Sequence, residues 1–438
     1  MTLDPLDLPL LSGRIAIAAA ALTHAMFATF IVGTTVIAAV TATIGYLTDR
    51  REYQRLAHQL AFTLVLMTGT VSFLGVALVF CLNIFWPRFW HTLFQIMFWP
   101  FLLEAALFLG EAVFAYAWYY LWDWAQAGGR RLAHLSFAWL AALSAVAAMF
   151  MIDLTASFML TPRSLQDDWI NILNPTMIHL HLHRWVGNLV WAGFANAAVC
   201  AMAWRRSATD EDRAHYAWAG RYCFAIGFGA LLLMPVIGYQ YMLNLRYGEP
   251  QAFQTLMLGE RSWLFNLVAL LYSLLVLVGS TFILRAGRAA ERRPPSFDPF
   301  LRLSCIVIVA AGLLFTMPYY LDRFAWLSHA TGWTINPIGK MQPFKYFAIA
   351  TLIVFGAFNW LYFLRAGGLR PVSGARAIFP ARLLVTLAVL ALSIYLAMGW
   401  SRETARAANG YLLYGAITLG DERPTYDGAA ATQPSPLP

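Results

Sequence analysis

Four ionisable side chains lie inside long apolar runs of this sequence, where solubility cannot explain them. They are His24, Glu104, Glu111 and His183. An ionisable group in a membrane-spanning run is costly and is by default a candidate for function. Two lone histidines suit axial ligation of haem iron, and carboxylates near them suit proton delivery or weak ligation. The alternatives are a histidine that hydrogen-bonds two helices together and a purely structural pair of glutamates.

The spacing of these groups predicts that they share one region. Glu104 and Glu111 are seven residues apart, so at ~100° per residue they lie on one face of a helix, two turns apart. Their run and the runs of His24 and His183 all begin on the same side of the membrane. Glu403, just past the last run, joins that side. We therefore expect most of these groups in the outer half of the bilayer.

Ten apolar runs must position these groups. Hydrophobic residues make up 60% of the 438-residue chain and charged residues only 12%, about half the charged fraction of a soluble domain. About 20 apolar residues cross a bilayer as a helix. The sequence thus predicts an all-α, polytopic transmembrane helical bundle. The predicted spans are near 15–45, 58–86, 94–122, 134–160, 178–203, 219–243, 262–284, 301–318, 344–364 and 380–400.

The basic residues predict an orientation rather than a nucleic-acid partner. The net charge is +8, but the arginines lie in short loops between apolar runs. Alternate loops with their helix ends carry 18 of the 30 Lys and Arg residues, and the other side carries 12 (30 − 18). The positive-inside rule makes the first set cytoplasmic and places both termini outside. His179 and His181, at the outer edge of the fifth span, are then expected to be interfacial.

The remaining sequence features predict no further chemistry. Residues 1–419 form the expected transmembrane domain, and 420–438 are a polar, Pro/Ala-rich tail that we expect to be disordered. The N-terminus has acids and no basic n-region, so no cleavable signal peptide is expected. The cysteines form neither C-x-x-C nor C-x-x-C-H, so neither a zinc ribbon nor covalent haem is indicated. They are Cys81, Cys200, Cys223 and Cys305.

Over its first six spans the chain resembles subunit I of the cytochrome bd quinol oxidases. The similar segments run in order from RIAIAAAALTHAMFATFIVG around His24, through PFLLE and GEAVF around Glu104 and Glu111, to Asn174-Pro175 followed by His183. The resemblance implies that His24 ligates a high-spin haem and His183 a low-spin haem b. It also implies that both glutamates lie at the high-spin haems on a proton route. The two glutamates are one residue closer together here than in that family.

After the sixth span the chain departs from the family pattern. A short loop, RYGEPQAFQTLMLGERSW, stands where the family has a long quinol-binding loop, and 262–318 is an unaligned extra helix pair. QPFKYFAIATLIVFG resembles the helix whose Arg-x-Met supplies the second low-spin ligand. Lys345 then stands for the Arg and Phe347 for the Met, with Met341 as a nearby substitute ligand.

The last span resembles the family segment that carries a glutamate ligand of a high-spin haem. Its residues Gly399-Trp400, Glu403, Arg406 and Tyr414-Gly415 follow the family order GW, E, GR and YG, with a spacing that is off by one. The segment GWTINPIGKMQPF at 332–344 is a competing match, but Pro337 stands where the glutamate is needed. The resemblance therefore implies Glu403 as a haem ligand and Arg406 as a cofactor-binding residue.

The resemblance implies a terminal oxidase of cytochrome bd type in a bacterial inner membrane. Quinol or another donor would supply electrons, dioxygen would be reduced, and a second membrane subunit would be the partner. The cofactors would be low-spin and high-spin haem b, with haem d or haem b at the oxygen site. Two alternatives stay open: a haem b electron-transfer subunit without oxygen reduction, and a non-redox proton-coupled transporter. The lack of broken paired helices disfavours the transporter.

Overall fold

The chain is a bundle of α-helices in a computed structural model that describes residues 13–126, 129–161, 174–257, 261–287, 297–317, 341–370 and 379–408. These ranges contain thirteen helices. In chain order they are α1 Gly13–Thr48, α2 Arg51–Phe85, α3 Pro87–Ile96, α4 Phe98–Tyr120, α5 Trp122–Gln126, α6 Arg131–Phe158, α7 Met177–Arg206, α8 Asp210–Gly248, α9 Pro250–Met257, α10 Ser262–Gly287, α11 Phe297–Thr316, α12 Met341–Arg365 and α13 Ala381–Ala408.

Ten of the described helices are long and apolar enough to cross a membrane. They are all but α3, α5 and α9, and they confirm the predicted all-α polytopic bundle. Large apolar side chains point outward along them, as Phe73 and Val76 do on α2, which are 73% and 71% exposed. Such a surface is stable in lipid and not in water. The protein is therefore a multi-pass membrane protein. The predicted tail at 420–438 lies outside the described residues.

Several predicted boundaries differ from those of the structure; the second span, for example, was expected to begin near 58, whereas α2 begins at Arg51. The third span was expected to start near 94, but a break at Met97 separates the short helix α3 from α4, which begins at Phe98. The sixth span was expected near 219, whereas α8 begins at Asp210. The Thr209 side chain caps α8 by accepting a hydrogen bond from the Asp212 backbone N–H at 3.1 Å. This capping lengthens α8 beyond its apolar segment.

The helices α7 and α8 form the centre of the bundle. They touch backbone to backbone at Gly193 and Gly227, where a Cβ on Gly193 would lie 2.5 Å from the Gly227 Cα. Only glycine permits this approach. Around this crossing, Phe194 of α7 and Phe224 and Phe228 of α8 are fully buried. The crossing therefore sets the position of every α7 side chain relative to α8.

Hydrogen bonds between side chains attach the outer helices to this central pair. Asn196 of α7 donates to Thr34 Oγ1 of α1 at 3.0 Å. Trp360 of α12 donates its indole N–H to the Ala225 carbonyl of α8 at 2.8 Å. Asn359 of α12 donates to Ser280 of α10 at 3.0 Å. In a membrane such bonds fix which helices pack together. The helix α13 packs against α7 and α10.

Candidate functional site

A large cavity of about 750 Å³ lies between α7, α8, α10, α12 and α13. Its volume falls in the roughly 300–1,000 Å³ range of small-molecule and cofactor sites. Apolar side chains form most of its wall. The imidazole and the cations in the wall are His183, Arg184, Lys345 and Arg402. The cavity thus combines an apolar interior with one imidazole and three cations.

The imidazole of His183 is held at the cavity wall between α7 and α8. Gly238 of α8 faces the ring, and a Cβ on Gly238 would lie 3.5 Å from His183 Cε1 and 3.6 Å from Nδ1. The His183 Nδ1 is buried and has no hydrogen-bond partner within the described part of the chain. An unsatisfied buried nitrogen costs about 1–3 kcal/mol. That cost is explained if the ring binds a ligand in the cavity.

Three cations share this wall with His183. Arg184 forms an ion pair with Asp153 of α6. The Lys345 ammonium donates to the Phe315 carbonyl at 3.0 Å, and Arg402 pairs with Glu403 at 3.2 Å. A haem presents an apolar macrocycle, an iron that takes imidazole, and two carboxylates that need cations. The cavity offers a partner for each of these, so its residues fit a haem.

Glu403 is the residue after Arg402 and lies beside the cavity. The helix α13 reaches α1 at Gly399, where a Cβ would lie 2.5 Å from Leu22 Cδ2. Because α1 and α13 run in opposite directions here, Glu403 lies one turn towards the start of α1, while His24 lies two residues the other way. At ~1.5 Å per residue the two are offset by about 9 Å along the helices. Glu403 and His24 are thus near one another but not at one level.

The His24 ring faces α2, away from the large cavity. A Cβ on Gly75 of α2 would lie 3.2 Å from His24 Cε1, whereas Ala25 and Thr29 on another face of α1 line the cavity. The His24 Nδ1 is buried without a hydrogen-bond partner among the described residues. His24 and His183 therefore offer two separate ligand positions, on opposite sides of α1.

Glu104 and Glu111 share one helix, α4, as their spacing predicts. Glu111 is buried, with 3% of its surface exposed, and its Oε1 has no hydrogen-bond partner in the described ranges. Glu104 is half-buried. The helix α4 packs against α6 and α2. The glutamates thus lie in the α1–α6 half of the molecule, with His24.

The candidates on α12 and at the end of α13 are only partly described. Lys345 is 2% exposed and Phe347 is 69% exposed. Phe347 therefore points away from the cavity, so this position supplies no second ligand. Met341 and Arg406 lie in helices, but their side chains lie outside the described part of the structure. Four other methionines line the cavity: Met234, Met242, Met257 and Met398.

One buried ionic group was missed in the sequence. Asp153 of α6 is fully buried; it accepts a hydrogen bond from His181 Nδ1 at 2.8 Å and pairs with Arg184. His181, which was expected to be interfacial, is bound to this carboxylate, and its side chain is 15% exposed. The signal was available, because an aspartate in the apolar run FMIDLTAS is an ionisable group within a span. The rule that selected Glu104 also selects Asp153.

Comparison with known proteins identifies the family. The family model described as cytochrome bd terminal oxidase subunit I matches residues 12–258. The chain belongs to the cytochrome bd terminal oxidase subunit I family. The match includes His24, both α4 glutamates and His183, and it ends before α10. Members of this family generally bind haem, and the protein is a bd-type respiratory membrane subunit.

A solved structure extends the likeness to most of this subunit I. It is the bd oxidase from Geobacillus thermodenitrificans, with a TM-score of 0.50 and 17% identity. The alignment covers 91% of this chain and 97% of that chain. At this identity the likeness shows the fold alone, including the half of the bundle beyond the family match. A comparison with curated proteins finds no match.

Proposed function

We propose that this subunit I holds a low-spin haem b at His183 and takes part in the reduction of dioxygen. The observation that carries the proposal is the buried Nδ1 of His183, which has no hydrogen-bond partner among the described residues, in a cavity of about 750 Å³ with three cations in its wall. The haem, when bound, supplies one-electron transfer and oxygen chemistry. His183 would fix the position of the haem, and Arg184, Lys345 and Arg402 are the cations of the cavity wall that would hold its carboxylates.

The residues at the other side of α1 form the proposed oxygen-reducing region. His24 would ligate one haem of a high-spin pair, a haem b or a haem d, and Glu403 would ligate the other. Glu111 and Glu104 hold and pass protons, because each electron delivered to a buried site needs a compensating positive charge in low dielectric. The buried Oε1 of Glu111, which finds no hydrogen-bond partner in the part of the chain that the structure describes, supports this role. Electrons would come from quinol or another donor.

The proposed setting follows from the family. A second membrane subunit would cover part of the outward apolar surface, as a bd-type complex requires. The location would be a bacterial inner membrane with both termini on the periplasmic side. Met341 and Arg406 remain proposals as cofactor-binding residues, since no described contact involves their side chains.

A second candidate is a haem b electron-transfer subunit without oxygen reduction, because a short loop stands where the family has its long quinol-binding loop. If the high-spin sites proposed at His24 and at Glu403 are not both filled, the subunit would transfer electrons without reducing oxygen. Both candidates share the haem at His183, so they differ only at these high-spin sites. A transporter without haem would leave the unpartnered His183 nitrogen unexplained.

Absorption spectra of the purified complex test these candidates. Reduced-minus-oxidised spectra should show low-spin haem, which His183→Ala should remove. A carbon monoxide shift that His24→Ala removes would support oxygen reduction. Low-spin haem without that shift would leave the electron-transfer function. His91→Ala is the matched control, because His91 is exposed and bonded only locally to Gln95 at 3.0 Å. The absence of haem from the wild type would contradict both functions.

A further inference from the structure

Asp153 is a fully buried carboxylate near the C-terminal end of the apolar helix α6. It lies on α6 in the segment FMIDLTAS and is 0% exposed. Both of its oxygens accept hydrogen bonds. Oδ2 accepts from His181 Nδ1 at 2.8 Å, and Oδ1 accepts from the Arg184 guanidinium. Both partners belong to α7 and flank His183 in the chain. Asp153 thus holds, through these two bonds, the turn of α7 that carries the proposed haem ligand His183.

The pair with Asp153 determines where the Arg184 charge lies. Arg184 lines the cavity, and its side chain is 17% exposed. A buried cation is strongly destabilising when its partner is removed. Asp153 therefore allows an arginine next to His183 to stay at the cavity wall. Neither residue was needed for the helix packing already described, which depends on Gly193 and on Asn196.

We propose that Asp153 is a positioning residue that holds Arg184 at the haem cavity, and that the Asp153–Arg184 pair sets the redox potential there. This inference rests on the proposed function, in which His183 ligates haem. Reduction adds one negative charge to the cavity. A fixed anion opposes that charge and a fixed cation favours it, and both effects are strong in low dielectric. Asp153 thus lowers the potential and Arg184 raises it.

A redox titration of the low-spin haem in the purified complex tests this inference. Asp153→Asn keeps the shape of the side chain and should raise the midpoint potential. Arg184→Gln should lower it, and the double variant should lie close to the wild type. A tenfold change in the redox equilibrium corresponds to 59 mV for one electron. Asp153→Glu should restore the wild-type potential, because it keeps the charge.

A merely structural role makes a different prediction. Loosening α6 from α7 would lower haem content or shift both single variants in the same direction. Such a result, or unchanged potentials with haem retained, overturns the inference. If Asp153→Asn does not assemble, a comparison of Arg184→Gln with the double variant still tests the inference. The double variant must have the higher midpoint potential of the two, because it lacks the negative charge of Asp153.

The control variant is Asp212→Asn. Asp212 also pairs with an arginine of another helix, Arg55, but both side chains are 37% exposed and lie near the first turns of α8 and α2. Its removal should leave the potential unchanged, and an equal shift there would overturn the inference. Loss of the low-spin haem signal is a separate readout. If His183→Ala retains that signal, the proposed function fails rather than the role of Asp153.

Discussion

Adding one methyl group at the α7–α8 crossing should displace the helix that carries His183. In Gly193→Ala the new Cβ would lie 2.5 Å from the Gly227 Cα, 2.6 Å from the Gly227 N and 3.0 Å from the Cys223 carbonyl oxygen. Carbon atoms pack best at about 3.5–4.0 Å. Since all three contacts are with backbone atoms, the helices must move apart by on the order of 1 Å.

The cost of that movement can be set against a gain from helix propensity. Overpacking costs about 1–3 kcal/mol, which changes the ratio of folded to unfolded protein roughly 5- to 140-fold at about 1.4 kcal/mol per tenfold. Replacing glycine by alanine within a helix contributes about 0.8–1.0 kcal/mol of stability. The net effect at Gly193 should be destabilising. Gly69→Ala is the matched control, because nothing lies within 4 Å of its added Cβ.

Two measurements on the purified protein check this prediction. Thermal unfolding should give a lower Tm for Gly193→Ala and an equal or higher Tm for Gly69→Ala. Haem content should fall only in the first variant, because His183 on α7 shifts relative to Gly238 on α8. A Tm for Gly193→Ala that equals or exceeds the control would refute the close approach of α7 and α8.

Three further predictions concern the cavity and the proton route. Gly238→Ala should keep the low-spin haem, since its Cβ meets the His183 ring at ordinary contact distance. Gly238→Leu should displace the haem. Equal haem content in the two variants would contradict the position of the ring. Lys345→Leu should weaken haem retention about 10- to 100-fold, because a charged hydrogen bond contributes about 1.5–3 kcal/mol. Lys345→Arg should restore haem retention. Both effects can be measured as the rate of haem loss to apomyoglobin. Glu111→Gln should slow quinol-driven oxygen uptake while the haem spectra stay unchanged. The control variant is Glu211→Gln, because Glu211 is exposed. Undiminished uptake in Glu111→Gln would show that Glu111 is not on the proton route.

The sequence by itself determined the ten spans and the intramembrane candidates. Apolar runs of about 20 residues form helices in lipid whatever their neighbours are, because the backbone must satisfy its own hydrogen bonds there. The ionisable groups His24, Glu111 and His183 stand out by the same local logic. Ordered similarity around these residues also predicted the family, which the comparison confirms. The boundary at Met97 was not predicted, because α3 is apolar enough to read as part of a span.

Only the tertiary structure decided which side chains meet. Lys345 and Phe347 are two residues apart on α12, yet one is buried at the cavity and the other is largely exposed. The pairing of Asp153 with Arg184 joins positions 31 residues apart on different helices. Hydropathy is a sum over neighbours in the chain, whereas such pairs depend on how helices rotate and pack. That rotation is fixed by close contacts such as Gly193 on Gly227, which no local pattern encodes.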